Sequence, residues 1–132
     1  MKWTFTEDRP IFTQIAEQIK LGILSDIFPT GSQMPSVRDL AIDAEVNPNT
    51  MQKALAKLEE SGLVHTRRTS GRYVTEDIEM INKLRNDLAK EHTEQFLENV
   101  KKLGMTKDEI LAMIEKNLTD KNLTEKTAKE EK

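Results

Sequence analysis

Two short helical patterns separated by only two residues are the feature that most constrains how this chain folds. Ser36 is a good N-cap for the first pattern, whose apolar residues recur at steps of three and four. Asn47 and Pro48 begin the second pattern, because asparagine caps helices well and proline fits their first position. Its apolar stripe is Met51, Ala54, Leu55 and Leu58. Since only residues 45–46 lie between the patterns, the helices must cross over a tight turn, which is the spacing of a helix-turn-helix.

The second helical pattern carries its short polar residues near its N-terminus. These residues are Asn49, Thr50, Gln52 and Lys53. In a helix-turn-helix, the residues at this place meet base edges in the major groove of DNA. The pattern therefore predicts that this helix binds double-stranded DNA. The alternative for Gln52 and Lys53 is that they are ordinary surface residues.

A predicted β-hairpin follows the second helix. Residues 63–66 and 72–75 are strand-like, and the residues between them are basic, polar and turn-forming. A hairpin with a basic tip directly after a DNA-binding helix is typical of a wing. Its candidate DNA-binding residues are Arg67, Arg68, Gly71 and Arg72. The alternative is that the arginines only protect an exposed sheet edge from pairing with other chains.

These segments resemble the GntR family of bacterial transcription regulators, and in particular its YtrA-type branch. The matching motifs are PIFTQI at 10–15, PSVRDLA at 35–41, NPNT at 47–50 and EESGLV at 59–64. Together with the hairpin they cover roughly the first 75 residues. Several linked motifs at the spacing of one family make the resemblance specific, and it implies a winged helix-turn-helix domain.

The resemblance also implies which residues contact DNA in the first half of the motif. The matching positions are Ser36, Arg38, Asn47, Asn49 and Thr50. Arg38 is expected to meet a phosphate or a base at the edge of the groove. The alternative is that Arg38 pairs with Asp39 or Asp43 on a solvated helix face.

Three positions depart from the pattern of the family. Gln52 stands where an arginine often reads guanine, and glutamine prefers N6 and N7 of adenine, so a different base is expected there. Pro48 replaces an arginine or lysine, which removes one potential charged contact. Thr69 stands where the wing tip often has a glycine, although Gly71 is kept, and Arg68 is the candidate for the minor-groove contact.

The net charge of −3 is unusual for a DNA-binding chain until it is divided by region. Residues 1–46 contain four Lys/Arg and seven Asp/Glu, residues 47–75 contain five and two, and residues 76–132 contain eleven and fourteen. The positive charge therefore coincides with the predicted helix and wing, and the other two regions repel phosphate. This distribution predicts DNA binding through one face, with weak non-specific affinity.

Beyond the hairpin, the apolar residues from 78 to 103 keep close to helical spacing until Gly104. Residues 106–109 then form a capping box for a second, shorter helix. A helix of this length cannot bury its apolar stripe against so small a core, so a second copy of the chain is expected to cover it. The predicted dimerisation residues are Ile81, Leu84, Leu88, Phe96, Val100, Ile110 and Ile114.

The predicted fold is mainly α-helical with a small β-hairpin. It comprises a winged helix-turn-helix domain over 1–75, a helical hairpin for dimerisation over 76–118, and a disordered tail over 119–132. The YtrA-type resemblance implies the same arrangement, with a short helical dimerisation region in place of a larger effector domain.

Composition argues against several other classes of protein. Without cysteine there is no disulfide, thiolate zinc site or cysteine nucleophile, and His65 and His92 lack neighbours at metal-ligand spacing. With no glycine-rich phosphate loop either, no enzyme activity, cofactor or metal is expected. No stretch approaches the ~18 apolar residues of a membrane span, and the N-terminus does not resemble a signal peptide, so a cytoplasmic protein is expected.

The predicted function is that of a homodimeric, sequence-specific transcription regulator, a repressor that binds an inverted-repeat operator. The YtrA-type resemblance implies control of a neighbouring transporter operon. The alternative is a winged-helix protein-interaction scaffold, because fold does not dictate function. The C-terminal part offers little volume for a ligand pocket of ~300 Å³, so an effector would have to bind at the dimer interface or between domains.

Overall fold

The computed structural model describes residues 1–120. Within this range the elements are α1 (Ile11–Leu24), α2 (Val37–Ala44), α3 (Pro48–Ser61), β1 (Val64–Arg67), β2 (Gly71–Val74), α4 (Ile78–Lys102) and α5 (Lys107–Leu118). The two strands form one antiparallel hairpin. A mainly helical chain with a small hairpin is therefore confirmed. The chain divides into two compact units, residues 1–87 and the residues from 88 onward, with the division inside α4. The predicted tail lies outside the described residues from 121 onward.

The helix-turn-helix is formed by α2 and α3, and local hydrogen bonds define its ends. The Ser36 hydroxyl oxygen accepts the Asp39 N–H at 3.0 Å at the start of α2. At the start of α3, the Asn47 side-chain oxygen accepts the Asn49 N–H at 2.7 Å. Glu45 makes the turn in the left-handed region, with φ 56° and ψ 46°. The caps predicted from the sequence are therefore confirmed.

The core of the first unit lies where α1 and α2 pack against α3. Its most deeply buried side chains are Ile15, Ile19, Ile23, Met51, Leu55, Leu63, Val64 and Val74. Full burial of each such side chain contributes about 1.5–3 kcal/mol. Gly22 leaves room for this packing, since a Cβ added there would lie 2.8 Å from the Phe28 ring. The second helix of the motif is thus held by two others along its apolar stripe.

Each strand of the hairpin lies one residue closer to the tip than predicted, and the centre of the tip is unchanged. Val64 pairs with Val74 and Arg67 with Gly71, which leaves residues 68–70 as the tip. The segment before α2 lies along the other edge of β2. There the Met34 N–H donates to the Arg72 carbonyl and the Val74 N–H donates to the Ser32 carbonyl, both at 2.8 Å. This pairing fixes the hairpin to the start of the helix-turn-helix.

The N-terminal segment forms an extended arm. The Gln18 side-chain amide forms two hydrogen bonds with the backbone of Thr4, at 3.1 and 2.7 Å. The Gln14 amide does the same with Thr6, at 2.8 and 2.9 Å. Because its backbone pairs with helix side chains, the arm needs no strand partner.

In the second unit, the C-terminal part of α4 is followed by a tight turn and α5. Gly104 has φ 78° and ends the long helix as predicted. Thr106 and Glu109 form a reciprocal capping box at the start of α5, which is also confirmed. Among the described residues, no helix combines the length and the apolar character needed to cross a membrane.

Two of the predicted dimerisation residues are buried within the chain. Ile81 is only 3 % exposed and Ile110 only 6 % exposed, because side chains of the same chain cover them. Neither leaves appreciable apolar surface for a partner. Phe96 and Ile114 are each 36 % exposed, and Leu84, Leu88 and Val100 are half-buried.

Candidate nucleic-acid interface

The exposed face of α3 is polar and lies opposite its buried stripe. Asn49, Gln52 and Lys53 are exposed and Thr50 is half-buried. All four lie in the first two turns of the helix. Amide and hydroxyl groups that project from the start of a helix have the reach and the hydrogen-bonding groups needed to read base edges.

Ser36 and Asn47 have structural tasks that limit their role as contacts. The Ser36 oxygen and the Asn47 oxygen each cap a helix by accepting a backbone N–H. Only the Ser36 hydroxyl hydrogen and the Asn47 amide hydrogens are left to donate to another molecule. Both residues therefore act mainly as helix caps, and each has one further hydrogen-bond donor group for another molecule.

Arg38 does not form the ion pair that was considered for it. The Asp43 carboxylate instead accepts the Trp3 indole N–H at 2.8 Å and lies 3.7 Å from the Met1 amino group. Among residues 1–120, no carboxylate forms an ion pair with Arg38. The exposed Arg38 guanidinium, at the start of α2, is therefore available to an anion.

The three wing arginines lie in different surroundings. The Arg72 Nε donates to the Glu59 Oε1 at 2.7 Å, and the Arg72 side chain is only 17 % exposed. Arg67 stacks over the Tyr73 ring at 4.1 Å from its centroid, and its Nη2 lies 3.3 Å from a carboxylate oxygen of Glu76. Arg68, at the tip, is exposed and forms no ion pair within residues 1–120. The tip arginine is the one most available to DNA.

Glu59 belongs to the EESGLV motif, but the sequence did not predict that it contributes to this site. Its Oε1 accepts hydrogen bonds from the Thr66 hydroxyl and from Arg72 Nε. The Thr66 bond, followed by Arg72, lowers the pKa of Glu59. Through Glu59, the C-terminal part of α3 is joined to both strands. We call Glu59, Thr66 and Arg72 the Glu59 cluster.

The backbone of the wing tip depends on two residues at positive φ. Thr69 and Gly71 both have φ 106°. For the β-branched Thr69 this conformation is strained. At Gly71, an added Cβ would also lie 3.4 Å from the Gln33 amide nitrogen, which donates to the Ser70 carbonyl. Gly71 therefore shapes the tip.

A cluster of two lysines and one aromatic ring, Lys53, Lys57 and Phe12, lies where α1 packs against α3. The Lys53 ammonium lies 4.1 Å from the centroid of the Phe12 ring, and the Lys57 ammonium lies 5.6 Å from it. Both distances are within the range of a cation–π interaction. Phe12 belongs to α1, so the tertiary packing of α1 on α3 brings these groups together. Lys57 was not among the predicted DNA-binding residues.

A helix-turn-helix followed by a hairpin that is joined to its second helix defines the winged helix-turn-helix class of DNA-binding proteins. Residues 12–74 match the model of the bacterial regulatory proteins of the gntR family. The chain belongs to the GntR family of transcription regulators, which confirms the resemblance. Its relatives are regulators and not enzymes, in agreement with the prediction.

Individual relatives show how far this similarity extends. The chain is 39 % identical over 107 residues to the HTH-type transcriptional regulator YhcF of Bacillus subtilis, which covers 81 % of this chain and 88 % of that one. It is 43 % identical over 68 residues to the HTH-type transcriptional repressor YtrA of Bacillus subtilis, and the match spans 52 % of each chain. A solved GntR family transcriptional regulator from Listeria monocytogenes has a TM-score of 0.76 and 42 % identity, covering 85 % of this chain and 98 % of that one.

Proposed function

We propose that this chain is a homodimeric repressor that binds an inverted-repeat operator through α3 and the wing. The observation that carries the proposal is the exposed polar start of α3 beside basic groups that no carboxylate of residues 1–120 neutralises. An exposed face of this kind is suited to a polyanion with hydrogen-bonding groups in its groove. A protein-interaction surface would more often expose apolar side chains there.

Apart from Lys53, the site residues divide into three roles in this proposal. Asn49, Thr50 and Gln52 read base edges, because they extend from the start of α3 and carry amide or hydroxyl groups. Arg38 and Arg68 contact the backbone or the narrow groove, because their guanidinium groups are exposed. The remaining predicted residues place these groups. They are Ser36, Asn47, Arg67, Gly71 and Arg72.

The proposed dimer surface lies in the second unit. Phe96 and Ile114 expose a third of their surface, and α4 and α5 border an open groove of about 500 Å³ lined in part by Leu97, Met105 and Leu111. Contiguous apolar surface is rarely left open to water on a monomer. A second copy is the proposed cover, because a two-fold dimer presents two recognition helices to the two halves of an inverted repeat.

The sign of regulation and the regulated genes are the finer parts of the proposal. The relative YtrA is a transcriptional repressor, and a dimer that occupies an operator blocks polymerase without any further activity. The YtrA-type resemblance adds control of a neighbouring transporter operon.

Fluorescence anisotropy with the duplex upstream of the protein's own coding sequence tests the proposal. A preference of ~10³ or more over a scrambled duplex, with affinity falling steeply as salt rises, is expected. Arg68→Gln should weaken binding, whereas Lys90→Gln, which removes the same charge from an exposed position on α4, should change it little. Equal and weak binding to both duplexes would contradict the proposal and favour a protein-interaction scaffold.

A further inference from the structure

The lysines beside Phe12 form an arrangement that needs a physical reason. Lys53 and Lys57 are one helical turn apart on α3, where two like charges repel each other. Their ammonium groups nevertheless lie over the same ring, 4.1 and 5.6 Å from its centroid. Within residues 1–120, neither lysine forms an ion pair with a carboxylate. The ring face partly offsets the repulsion but leaves both positive charges unneutralised.

The position of this cluster around α3 is the second observation. Successive residues of an α-helix are rotated by about 100°. Passing around the exposed side of α3, one therefore meets Glu59, Gln52, Asn49, Lys53 and Lys57 in that order. Ala56 lies between Gln52 and Asn49, Glu60 lies between Asn49 and Lys53, and Thr50 lies beyond Lys57. Glu59 is bonded to the wing, so the wing and the two lysines lie on opposite sides of Gln52 and Asn49.

We propose that Phe12 is a positioning residue that holds Lys53 and Lys57 as a two-lysine site for DNA phosphates on the α1 side of α3. This inference rests on the proposed function. The wing tip meets the DNA on one side of the recognition helix, and the lysine pair binds the sugar-phosphate backbone on the other. Each ammonium lies near the ring and keeps hydrogen atoms free to donate to phosphate oxygens.

This assignment changes what Lys53 does. An ammonium that lies over the Phe12 ring is turned toward α1, away from Gln52 and the centre of the exposed face. Lys53 therefore contributes affinity for any duplex and no preference among bases. Lysine loses considerable side-chain freedom when it binds, and the ring restricts part of that freedom beforehand.

The test uses the full chain with four substitutions, measured against both the upstream and the scrambled duplex. Lys53→Gln and Lys57→Gln should each reduce the slope of the logarithm of the binding constant against the logarithm of the salt concentration by ~0.9. Each should weaken binding to both duplexes by the same factor. Phe12→Leu keeps both charges but should weaken binding to both duplexes by roughly three- to five-fold at one salt concentration. Phe12→Tyr keeps a ring face and should restore wild-type binding.

The distinguishing measurement is Phe12→Leu in the background of Lys53→Gln and Lys57→Gln. If Phe12 acts through the lysines, its substitution has no further effect on DNA binding there. An equal loss in both backgrounds would mean that Phe12 only supports the fold, and would overturn the inference. Thermal unfolding of each variant shows directly whether the substitution destabilises the fold. If Phe12→Leu is unstable, the comparison of Phe12→Tyr with the wild type tests the role of the ring.

Failure of this inference and failure of the proposed function give different results. A wild-type protein that prefers the upstream duplex, but whose salt slope is unchanged by both lysine substitutions, overturns only the phosphate site. A loss of preference at one base position in Lys53→Gln also overturns it, since it makes Lys53 a base contact. A wild-type protein that binds neither duplex overturns both proposals.

Discussion

The Glu59 cluster offers a test of whether the wing is held to α3 by a specific polar contact. The perturbation is a double-mutant cycle of Glu59→Ala, Arg72→Ala and the combined variant. In the wild type, Glu59 Oε1 accepts from the Thr66 hydroxyl and from Arg72 Nε, the latter at 2.7 Å. The cycle isolates the energy of the Glu59–Arg72 pair from the other effects of each substitution.

The exposure of the two side chains sets the expected magnitude. Arg72 is 17 % exposed and Glu59 is 32 % exposed. Hydrogen bonds to charged groups contribute about 1.5–3 kcal/mol, but exposed ion pairs contribute only ~0.2–1 kcal/mol because water screens them. For a partly screened pair of this geometry we expect a coupling of about 1–1.5 kcal/mol. Each single substitution should lower the melting temperature by roughly 4–12 °C, at ~4–8 °C per kcal/mol for a domain of this size.

The pH dependence of the coupling follows from the pKa of Glu59. The Thr66 hydroxyl, and then Arg72, hold this pKa below its ordinary value of 4.5. A carboxylate whose pKa is lowered by folding contributes stability that is fully present above the unfolded pKa and is lost as pH falls through the folded pKa. The coupling should therefore stay constant from about pH 7 to 5 and shrink progressively below 4.5.

Thermal or urea unfolding followed by circular dichroism measures the coupling. The matched control is the Lys83–Asp87 pair, which has a similar distance of 2.8 Å but side chains that are 77 % and 61 % exposed. A cycle on this pair should give no more than ~0.5 kcal/mol. A Glu59–Arg72 coupling no larger than the control, or one that persists unchanged at low pH, would refute the reasoning.

Three further predictions concern the turn, the dimer and base reading. Glu45→Gly should raise the melting temperature by roughly 2–6 °C, since Glu45 has φ 56° and glycine adopts this conformation without the strain of a side chain; Glu60→Gly inside α3 should lower it instead, and a fall in both would contradict the strain argument. Combined Phe96→Glu and Ile114→Glu should give a monomer by light scattering, whereas Glu94→Ala with Glu115→Ala on the same helices should leave the dimer intact; an unchanged dimer in the first variant would place the contact elsewhere. Gln52→Ala should relax the preference at one operator position at a cost of ~1–3 kcal/mol there, and a uniform loss across all sequences would make Gln52 a backbone contact.

Features that depend on a few neighbouring residues were predictable from the sequence. The caps at Ser36, Asn47 and Thr106 were identified because each bonds to a backbone N–H within three residues. The end of α4 at Gly104 followed from the conformational freedom of glycine. In each case the residue that causes the helix to begin or end lies within one helical turn of that helix end.

Each strand of the hairpin was predicted one residue too far from the tip, because the length of the loop depends on backbone conformation and on contacts outside the two strands. The strands are Val64–Arg67 and Gly71–Val74, whereas residue type favoured 63–66 and 72–75. Thr69 has a positive φ within a tip of residues 68–70, and residues 32–34 pair with the other edge of β2. The segment before α2 shows no strand pattern, so its part in the sheet became visible only in the fold.

The sequence by itself determined the helix-turn-helix, the presence of a wing and the family, because caps, periodicity and motif spacing act over short stretches of chain. Only the tertiary structure decided what the basic residues do. Arg67, Arg68 and Arg72 are alike in sequence, yet one lies on Tyr73, one is exposed and one is bonded to Glu59. The role of a long charged side chain depends on which groups from distant parts of the chain lie within a few ångströms, and only packing brings those groups together.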